Sequence, residues 1–249
     1  NDFAYDSGSI KFPGIPYTIN GDKNSFVKKY NFINAKNIDW LENTKTKKIE
    51  SNARKLPLEG IRVVDLSWVI AGPTSTRYLS SMGAEVVKIE SKQRPDPGRS
   101  GQLHDVLGQA KLGLSLNLKS EYGQRIIKEL ISKSDVLIEN FAPGVMDRLG
   151  LDWETIRKIN PNLVMVSASG TGQFGPTAKY AAYGTLLQGY TGFAGLNGYY
   201  DQNETMGIAW TDPLCGMLLA YAIASALYKR QIVNEGFRVD FAMVEAQLS

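Results

Sequence analysis

The chain has 249 residues, of which 43% are hydrophobic and 21% are charged, and its formal net charge at pH 7 is +3. That length and apolar content suffice for one substantial core or two small ones, and the near-balance of charge argues against a nucleic-acid-binding or membrane-surface protein. The single cysteine, Cys215, and the single histidine, His104, exclude an internal disulfide, a cysteine-built zinc site and a histidine-rich metal site. We therefore predict no metal cofactor.

The apolar runs, the cysteine content and the search for a signal segment indicate the compartment of the protein. The longest apolar run, residues 217–228, is too short for a membrane span and is followed by Lys229 and Arg230. We see no secretory signal, and the low cysteine content is typical of reduced compartments. These features predict a cytoplasmic protein that does not enter a membrane.

Residues 1–57 differ in composition from the rest. They are rich in Asn, Lys, Asp and Ser, and they contain the segment FPGIP and a charged run around residues 42–55. Such a composition predicts a flanking arm or an interdomain linker, with the folded domain at residues 58–249. Because the chain begins with Asn1, we expect it to be a piece of a longer protein.

Residues 58–90 have the pattern of a strand, a helix and a second strand. The branched apolar run at residues 61–66 predicts a buried parallel strand, and Pro73 suits the first turn of a helix over residues 74–82. Gly83 ends that helix, and residues 84–90 form the next strand. Such units make a right-handed crossover and bind ligands at the carboxyl ends of their strands. Because the chain has no GxGxxG motif, the alternative that this unit binds no ligand stays open.

The remaining elements alternate in the same way. A loop after residue 90 carries Lys92, Arg94 and Arg99, which either contact phosphate or face solvent. Beyond it we predict strands over residues 111–119, 135–140, 162–167 and 237–244. We predict helices over residues 120–133, 153–159 and 211–230, and a short helix that ends at residue 146. The glycine-rich segment SGTGQFGP follows the third of these strands and either exposes backbone N–H groups or is merely a long loop. The fold class is α/β, with a mainly parallel sheet flanked by helices.

Carboxylates are the remaining candidates for catalysis, because the familiar nucleophile and metal motifs are missing. The candidate side chains are Asp65, Glu90, Asp96, Glu139, Asp147, Asp201 and Asp212. Asp212 precedes a proline at a helix start, so a structural role as helix N-cap is an alternative for it.

Several segments together resemble a known family. They are LEGIRVVDLSWVIAGP, MGAEVVKIE, SDVLIENFAPGVMDRLGLDWETIRKINPNLVMVSASGTGQFGP, TDPLCGMLLAYAIASALYKR and GFRVDFAMVEA. From residue 56 to 249 the chain resembles the amino-terminal part of class III coenzyme A transferases, which include formyl-CoA and carnitine CoA-transferases and are related to α-methylacyl-CoA racemase. The resemblance implies a Rossmann-like large domain that is incomplete here, and an interlocked homodimer or a second polypeptide or domain that completes it.

The resemblance also implies an activity. In the family an aspartate attacks the thioester of an acyl-CoA, a mixed anhydride and then an enzyme–CoA thioester form, and an acceptor carboxylic acid takes the CoA. The matching aspartate is Asp212, preceded by Thr211 where the family typically has glycine. The family commonly has a second carboxylate about thirty residues earlier, and Gly184, after Tyr183, stands there in this chain.

The same comparison implies a set of coenzyme A contacts. The matched positions are Val69, Ile70, Ala71, Leu116, Leu118, Lys119, Asn140, Phe141, Ala142, Val145 and Arg148. Lys119 and Arg148 suit phosphates, whereas Phe141 could equally be a core residue. Ser91 replaces an arginine that is frequent in the family, and Ser169 replaces a lysine found in some members.

Two other functions stay open on the sequence. The chain could be a non-catalytic, CoA-binding or scaffolding half whose partner supplies the chemistry. It could also be a racemase, but the racemase histidine falls on Tyr183, and we expect the only histidine, His104, at the surface or between domains.

Overall fold

The computed structural model describes residues 56–180, 182–196 and 207–248, together with the backbone of three short strands within the first 32 residues. Most of the predicted arm at residues 1–57 therefore lies outside the described residues, as does Asp201. Strands β1 and β2 form an antiparallel pair, Ala4–Asp6 with Lys11–Pro13.

A parallel sheet is the framework of the domain. Its strands are β3 Asn31–Phe32, β4 Arg62–Asp65, β5 Glu85–Glu90, β6 Leu112–Ser115, β7 Val136–Glu139, β8 Val164–Ser169 and β9 Phe237–Ala242. Their order across the sheet is β3-β6-β5-β4-β7-β8-β9, and every pairing is parallel. Parallel neighbours require crossovers, which the helices between the strands supply. This confirms the predicted α/β class.

The described helices alternate with these strands. They are α1 Ala71–Ser81, α2 Leu103–Leu107, α3 Glu121–Ser132, α4 Val145–Arg148, α5 Trp153–Ile159, α6 Gly184–Tyr190, α7 Phe193–Leu196, α8 Thr211–Val233 and α9 Met243–Leu248, with one 3₁₀ turn at Pro97–Ser100. The prediction for α5 is confirmed at both ends.

Both faces of the sheet are buried, and neighbouring residues of one strand belong to different cores. Val64 and Leu137 pack with α3 and α5, whereas Val63 and Ile138 pack with α8. Because side chains alternate across a strand, a strand covered on both faces must be apolar throughout. That requirement explains the continuous apolar runs in the sequence.

Several element boundaries differ from the prediction. The strand predicted over residues 111–119 ends at Ser115, and the helix predicted up to residue 146 continues to Arg148. Helix α1 begins at Ala71, because Pro73 fits the third helical position as well as the first, and its missing N–H needs no partner in either place. Helix α8 continues to Val233 and ends where Asn234 takes a left-handed φ of 52°. The last strand ends at Ala242, and Met243 begins α9 instead of continuing the strand.

Helix α8 is longer than the apolar run that the sequence prediction used. With 23 residues it is the one helix among the described residues that is long and apolar enough to cross a membrane, judged by length and composition alone. Its buried side chains, among them Leu219, Ile223 and Leu227, pack into the core beside the sheet. A core helix passes the same test, so this finding is weak evidence for a membrane.

Helices α1 and α8 pack closely against each other at Gly216. A Cβ at Gly216 would lie 2.5 Å from Cβ of Thr74 and 2.9 Å from the carbonyl oxygen of Ala71. The missing side chain therefore lets the two helices approach, and this approach brings the first turn of α8 to the first turn of α1.

We expect Gly216→Ala to destabilise the domain, although alanine favours helices by about 1 kcal/mol over glycine. The methyl group must push α1 and α8 apart, and overpacking of this kind costs about 1–3 kcal/mol. Urea unfolding measures the change. Ser225→Ala, at an exposed position of the same helix, is the matched control and should be neutral or slightly stabilising. A Gly216→Ala protein as stable as the wild type would contradict the close packing.

Candidate functional site

A cavity of about 930 Å³ opens at the carboxyl ends of the strands. The residues that follow β4, β5, β6, β7 and β8 line it, together with the first turn of α8. Every predicted site residue except Arg148 belongs to its lining: Val69, Ile70, Ala71, Leu116, Leu118, Lys119, Asn140, Phe141, Ala142, Val145 and Asp212. Arg148 lies on α4, exposed and outside the lining.

The turn between β4 and α1 has an unusual backbone. Val69 has a φ of 67°, a left-handed conformation that costs about 1–2 kcal/mol in an ordinary residue and is rarest for β-branched ones. Both carboxylate oxygens of Asp96 accept the Val69 N–H at 3.1 Å. Asp96 is 2% exposed and also accepts the N–H of Gly98 at 2.8 Å, as the N-cap of the 3₁₀ turn. The candidate carboxylate Asp96 is thus a structural group of this turn.

Asn140 holds the same turn from the neighbouring strand. Its side-chain oxygen accepts the Trp68 N–H at 2.7 Å, and its side-chain nitrogen donates to the Trp68 carbonyl oxygen at 2.8 Å. The ring of Phe141 meets the ring of Trp68 edge to face, with centroids 5.2 Å apart. The predicted ligand residue Asn140 therefore shapes the cavity wall, and Phe141 both lines the cavity and packs against the core.

Beneath the turn lies a buried charge cluster. The carboxylate of Asp65 is 3.3 Å from the ammonium of Lys111 and 3.9 Å from that of Lys88, and it accepts hydroxyl hydrogen bonds from Ser67 and Thr76. Burial raises the pKa of Asp65, but these partners outweigh it and lower the pKa to about 2. Asp65 is therefore ionised and fully buried, so it anchors the turn and is inaccessible to a ligand.

Two carboxylates of the described residues line the cavity, Glu90 and Asp212. Glu90 forms an ion pair with Arg99, and its other oxygen lies 3.1 Å from Nε2 of His104. Although burial raises the pKa of Glu90, these partners and Lys88 lower it to about 2. The expectation of a surface His104 is wrong, since only 12% of its side chain is exposed and Glu90 holds its ring inside.

Asp212 has a different environment. It is the second residue of α8, and Trp210 occupies the N-cap, so the alternative of Asp212 as N-cap is not seen. Burial raises its pKa to about 6, and a backbone hydrogen bond from Gly184 only partly offsets this. Among the residues the structure describes, no cation pairs with it. The carboxylate is therefore basic for an aspartate, yet it is ionised at neutral pH.

Gly184 explains how the carboxylate fits. A Cβ at this position would lie 2.5 Å from Oδ2 and 2.8 Å from Cγ of Asp212. Any side chain here would displace the Asp212 carboxylate. The residue that replaces the family's second carboxylate thus packs its bare backbone directly against Asp212.

Two other titratable groups near the site are not available as nucleophiles. Burial and the charge of Asp212 raise the pKa of Cys215 to about 12, so its buried thiol stays protonated. Burial raises the pKa of Glu139 to about 7, and its carboxylate accepts the Phe141 N–H at 2.7 Å outside the cavity lining.

The structure distinguishes among the three cations after β5, which sequence reasoning could not rank. Arg94 lines the cavity, and its guanidinium carbon lies 5.1 Å from the centre of the Trp68 ring. Arg99 pairs with Glu90, and Lys92 is exposed outside the lining. Ser169, Gly170 and Tyr183 also line the cavity. The resemblance relates Ser169 to a lysine of some family members and Tyr183 to the racemase histidine, whereas Gly170 is indicated only by its place in the glycine-rich segment.

No cluster of three or more metal-ligating side chains occurs in the described ranges 56–180, 182–196 and 207–248. The cavity is instead bounded largely by apolar groups, with Asp212 at one side and Lys119 and Arg94 among its polar residues. Such a cavity suits a long ligand that has an anionic end and an apolar body.

Comparisons with known proteins give the site a context. The model of CoA-transferase family III matches residues 58–249. The chain is 38% identical over 205 residues to an acetyl-CoA:oxalate CoA-transferase of Acetobacter aceti, covering 78% of this chain and 53% of that protein. It is 34% identical over 210 residues to a succinate–glutarate CoA-transferase of Agrobacterium fabrum, covering 78% of this chain and 52% of the relative.

A solved structure agrees with these matches. A CaiB/BaiF family protein from Brucella suis superposes with a TM-score of 0.72 at 33% identity, over 78% of this chain and 55% of that one. The chain belongs to CoA-transferase family III. It spans about half the length of the curated relatives it matches.

The electrostatics of Asp212 predict a stabilising substitution. The folded-state pKa of Asp212, about 6, lies above the ordinary aspartate value of 3.8, so ionisation disfavours the folded state. This penalty is fully present above pH 6 and absent below about pH 4. Asp212→Asn should raise the melting temperature at pH 7.5. Solvent screening limits the effect to roughly 1 kcal/mol, or roughly 2–4 °C. The difference should shrink as the pH falls towards 4, as measured by calorimetry.

Glu90→Gln is the matched control at the other lining carboxylate. Because the pKa of Glu90 is lowered to about 2, its ionised form stabilises the fold, so this substitution should lower the melting temperature at pH 7.5. A destabilising Asp212→Asn would contradict the electrostatic description of the site.

Proposed function

We propose that the protein of which this chain is a part moves coenzyme A between carboxylic acids, with Asp212 as the nucleophile. Family membership and the relatives named as CoA-transferases acting on carboxylic acids support the reaction class. The observation that carries the proposal is the contrast between the two lining carboxylates. The ionised Glu90 is paired with Arg99 and has a pKa of about 2, whereas Asp212 has a pKa of about 6 and no ion pair among the described residues.

Elementary chemistry supports Asp212 for this step. A carboxylate is a weak nucleophile in water. A half-buried carboxylate with a raised pKa is a stronger nucleophile when it is held against a thioester. At neutral pH the group is still mostly ionised, because its pKa is about 6. The neighbouring thiol of Cys215 is protonated at that pH and does not compete.

The proposed reaction has four balanced steps. An Asp212 oxygen attacks the thioester carbon, the C–S bond breaks, and CoA leaves as thiolate from a mixed anhydride. The thiolate attacks the aspartyl carbonyl, which releases the donor carboxylate and forms an aspartyl–CoA thioester. The acceptor carboxylate attacks this thioester and expels the thiolate again. The thiolate then attacks the acceptor acyl carbon, and Asp212 is regenerated as a carboxylate.

Acyl-CoA fits the cavity in one direction. The thioester end meets Asp212, and the pantetheine arm runs along the turn at Val69, Ile70 and Ala71. Leu116, Leu118, Ala142, Val145 and the Phe141 ring supply apolar contacts along the wall, with Asn140 holding that wall in place. Lys119, which lines the cavity, and the exposed Arg148 on α4 suit the phosphates. We add Arg94 to these cations, because it lines the cavity.

Oxyanion stabilisation needs N–H donors near the thioester carbon. The glycine-rich loop after β8 reaches the cavity at Gly170. We propose that this loop contributes such donors. The acyl donor and acceptor are not specified by the residues of this chain.

We further propose that more polypeptide completes the active site, either in an interlocked homodimer or from a second polypeptide or domain. The chain spans about half the length of its relatives. The outer face of α8 exposes apolar side chains that share one side of the helix, Met217, Tyr221, Tyr228 and Ile232, each at least 50% exposed. An apolar face of this kind is typical of a covered surface.

A cytoplasmic location remains a prediction.

Chemical trapping tests the nucleophile. The full-length protein is incubated with acyl-CoA and then with hydroxylamine, which converts an aspartyl anhydride or thioester to a hydroxamate, and peptides are examined by mass spectrometry. We expect the modification at Asp212, and none in Asp212→Asn, because an amide does not attack the thioester. Asp147→Asn, at an exposed carboxylate outside the lining, should be modified at Asp212 like the wild type.

Two results would overturn the assignment. A hydroxamate at Glu90 would move the nucleophile to the other lining carboxylate. Tight CoA binding without any adduct in the full-length protein would favour the non-catalytic, CoA-binding alternative. Racemase activity would appear as deuterium exchange from solvent at the α-carbon of an acyl-CoA. We expect none, because the only histidine, His104, lies outside the cavity lining, against Glu90.

The phosphate role of Arg94 predicts a ligand-dependent loss of affinity. Arg94→Gln should weaken CoA binding about tenfold, or roughly 1.4 kcal/mol, and leave the binding of pantetheine unchanged because pantetheine has no phosphate. Isothermal titration calorimetry measures both affinities. Lys92→Gln removes the same charge from an exposed neighbour outside the lining and should change neither. Equal losses for both ligands would contradict a phosphate contact.

A further inference from the structure

We propose that Asp96 is a positioning residue for acyl-CoA: it holds Val69 in the left-handed conformation and thereby sets the cavity wall on which the pantetheine arm lies. The inference rests on the proposed function for the identity of the ligand. The positioning itself is argued from contacts within the chain.

The first step is the geometry around Val69. Both oxygens of Asp96 accept the Val69 N–H at 3.1 Å, across 27 residues of sequence. A Cβ at Gly98 would lie 3.4 Å from the Val69 Cα and 3.5 Å from its carbonyl oxygen, so the 3₁₀ turn packs closely against Val69. The turn that follows β5 thus supports the turn that follows β4.

The second step is the charge that keeps Asp96 in place. The ammonium of Lys88 lies 3.9 Å from Asp96 and donates a hydrogen bond to the Ser67 carbonyl oxygen. One lysine therefore connects the carboxylate to the start of the turn that the carboxylate holds. Behind Val69 and Asp96 there is a void of only about 10 Å³, so the turn has little space into which it could relax.

The third step is the requirement for an external support. A valine does not adopt a positive φ by preference, because its branched side chain crowds the backbone. Such an outlier persists only where the surroundings determine it, and it is concentrated at ligand sites. Here the strained residue and both of its neighbours, Trp68 and Ile70, line the cavity. The conformation that Asp96 imposes is therefore the shape that a ligand meets.

Asp96→Asn separates positioning from capping. Asparagine caps helical turns as well as aspartate does, so the Gly98 N–H keeps its acceptor. The new NH₂ group replaces Oδ2, which accepts the Val69 N–H and lies 3.9 Å from the Lys88 ammonium. One of the two acceptors of the Val69 N–H and the charge that faces Lys88 are removed, so the support of Val69 is weakened. We expect CoA affinity to fall about tenfold and amide exchange to become faster in residues 67–72, as measured by calorimetry and hydrogen–deuterium exchange on the full-length protein.

Val69→Gly provides the decisive comparison, since glycine adopts a positive φ without support. The double variant Asp96→Asn/Val69→Gly should regain an affinity within about threefold of Val69→Gly alone, because the two changes are coupled through one backbone conformation. Asp152→Asn is the control, since Asp152 caps α5 through the Thr155 N–H at 3.0 Å, far from the cavity lining. It should bind CoA normally.

The outcomes are distinguishable. Additive losses in the double variant, or an Asp96→Asn protein with unchanged affinity and exchange, would overturn the positioning role. If the wild type does not bind CoA, the proposed function fails, and the exchange of residues 67–72 in Asp96→Asn still decides whether Asp96 holds the turn.

Discussion

The turn between β4 and α1 is the constraint on which the site depends. It carries a strained Val69, and three separate parts of the chain hold it: Asp96 after β5, Asn140 after β7, and the buried Asp65 with its lysines beneath it. These contacts come from different strands or strand ends, so the turn takes this shape where the parallel sheet brings those strands together. The sheet thus determines the cavity through hydrogen bonds as well as through burial.

The close contact of α1 with α8 extends this constraint to Asp212, the proposed nucleophile. Because Gly216 lets the helices touch, the first turn of α8 reaches the cavity beside the turn at Val69. Gly184 then leaves room for the Asp212 carboxylate. A carboxylate that is partly buried without a cation has a raised pKa, whereas Glu90, ion-paired in the same cavity, has a lowered one. The difference in partners gives two identical chemical groups different roles.

The fold could be predicted largely from the sequence. Strands buried on both faces must be apolar throughout, and glycine and proline mark their ends, so β4, β5, β7 and β8 are evident as short branched runs. Helix boundaries were less certain, because Pro73 is compatible with more than one position of a first turn. The end of β9 was missed because residues 243–244 are as apolar as the strand before them.

The site was only partly predictable. Resemblance indicated Asp212 and ten other residues of the lining. It could not rank Lys92, Arg94 and Arg99, since which of them pairs with Glu90 is decided in three dimensions. The left-handed Val69 has no sequence signal, because valine is a residue that normally argues against that conformation. The sequence DPG at residues 96–98 predicts a local turn, yet its contact with Val69 is long-range.

The central claim is that one cavity holds both coenzyme A and the nucleophile. A crystal structure of the full-length protein with CoA bound tests it most directly. We expect the CoA sulfur at a near-attack distance, about 3–4 Å from the Asp212 carboxylate, with the pantetheine arm along the turn at Val69. CoA bound with its sulfur directed away from Asp212, or outside this cavity, would contradict it.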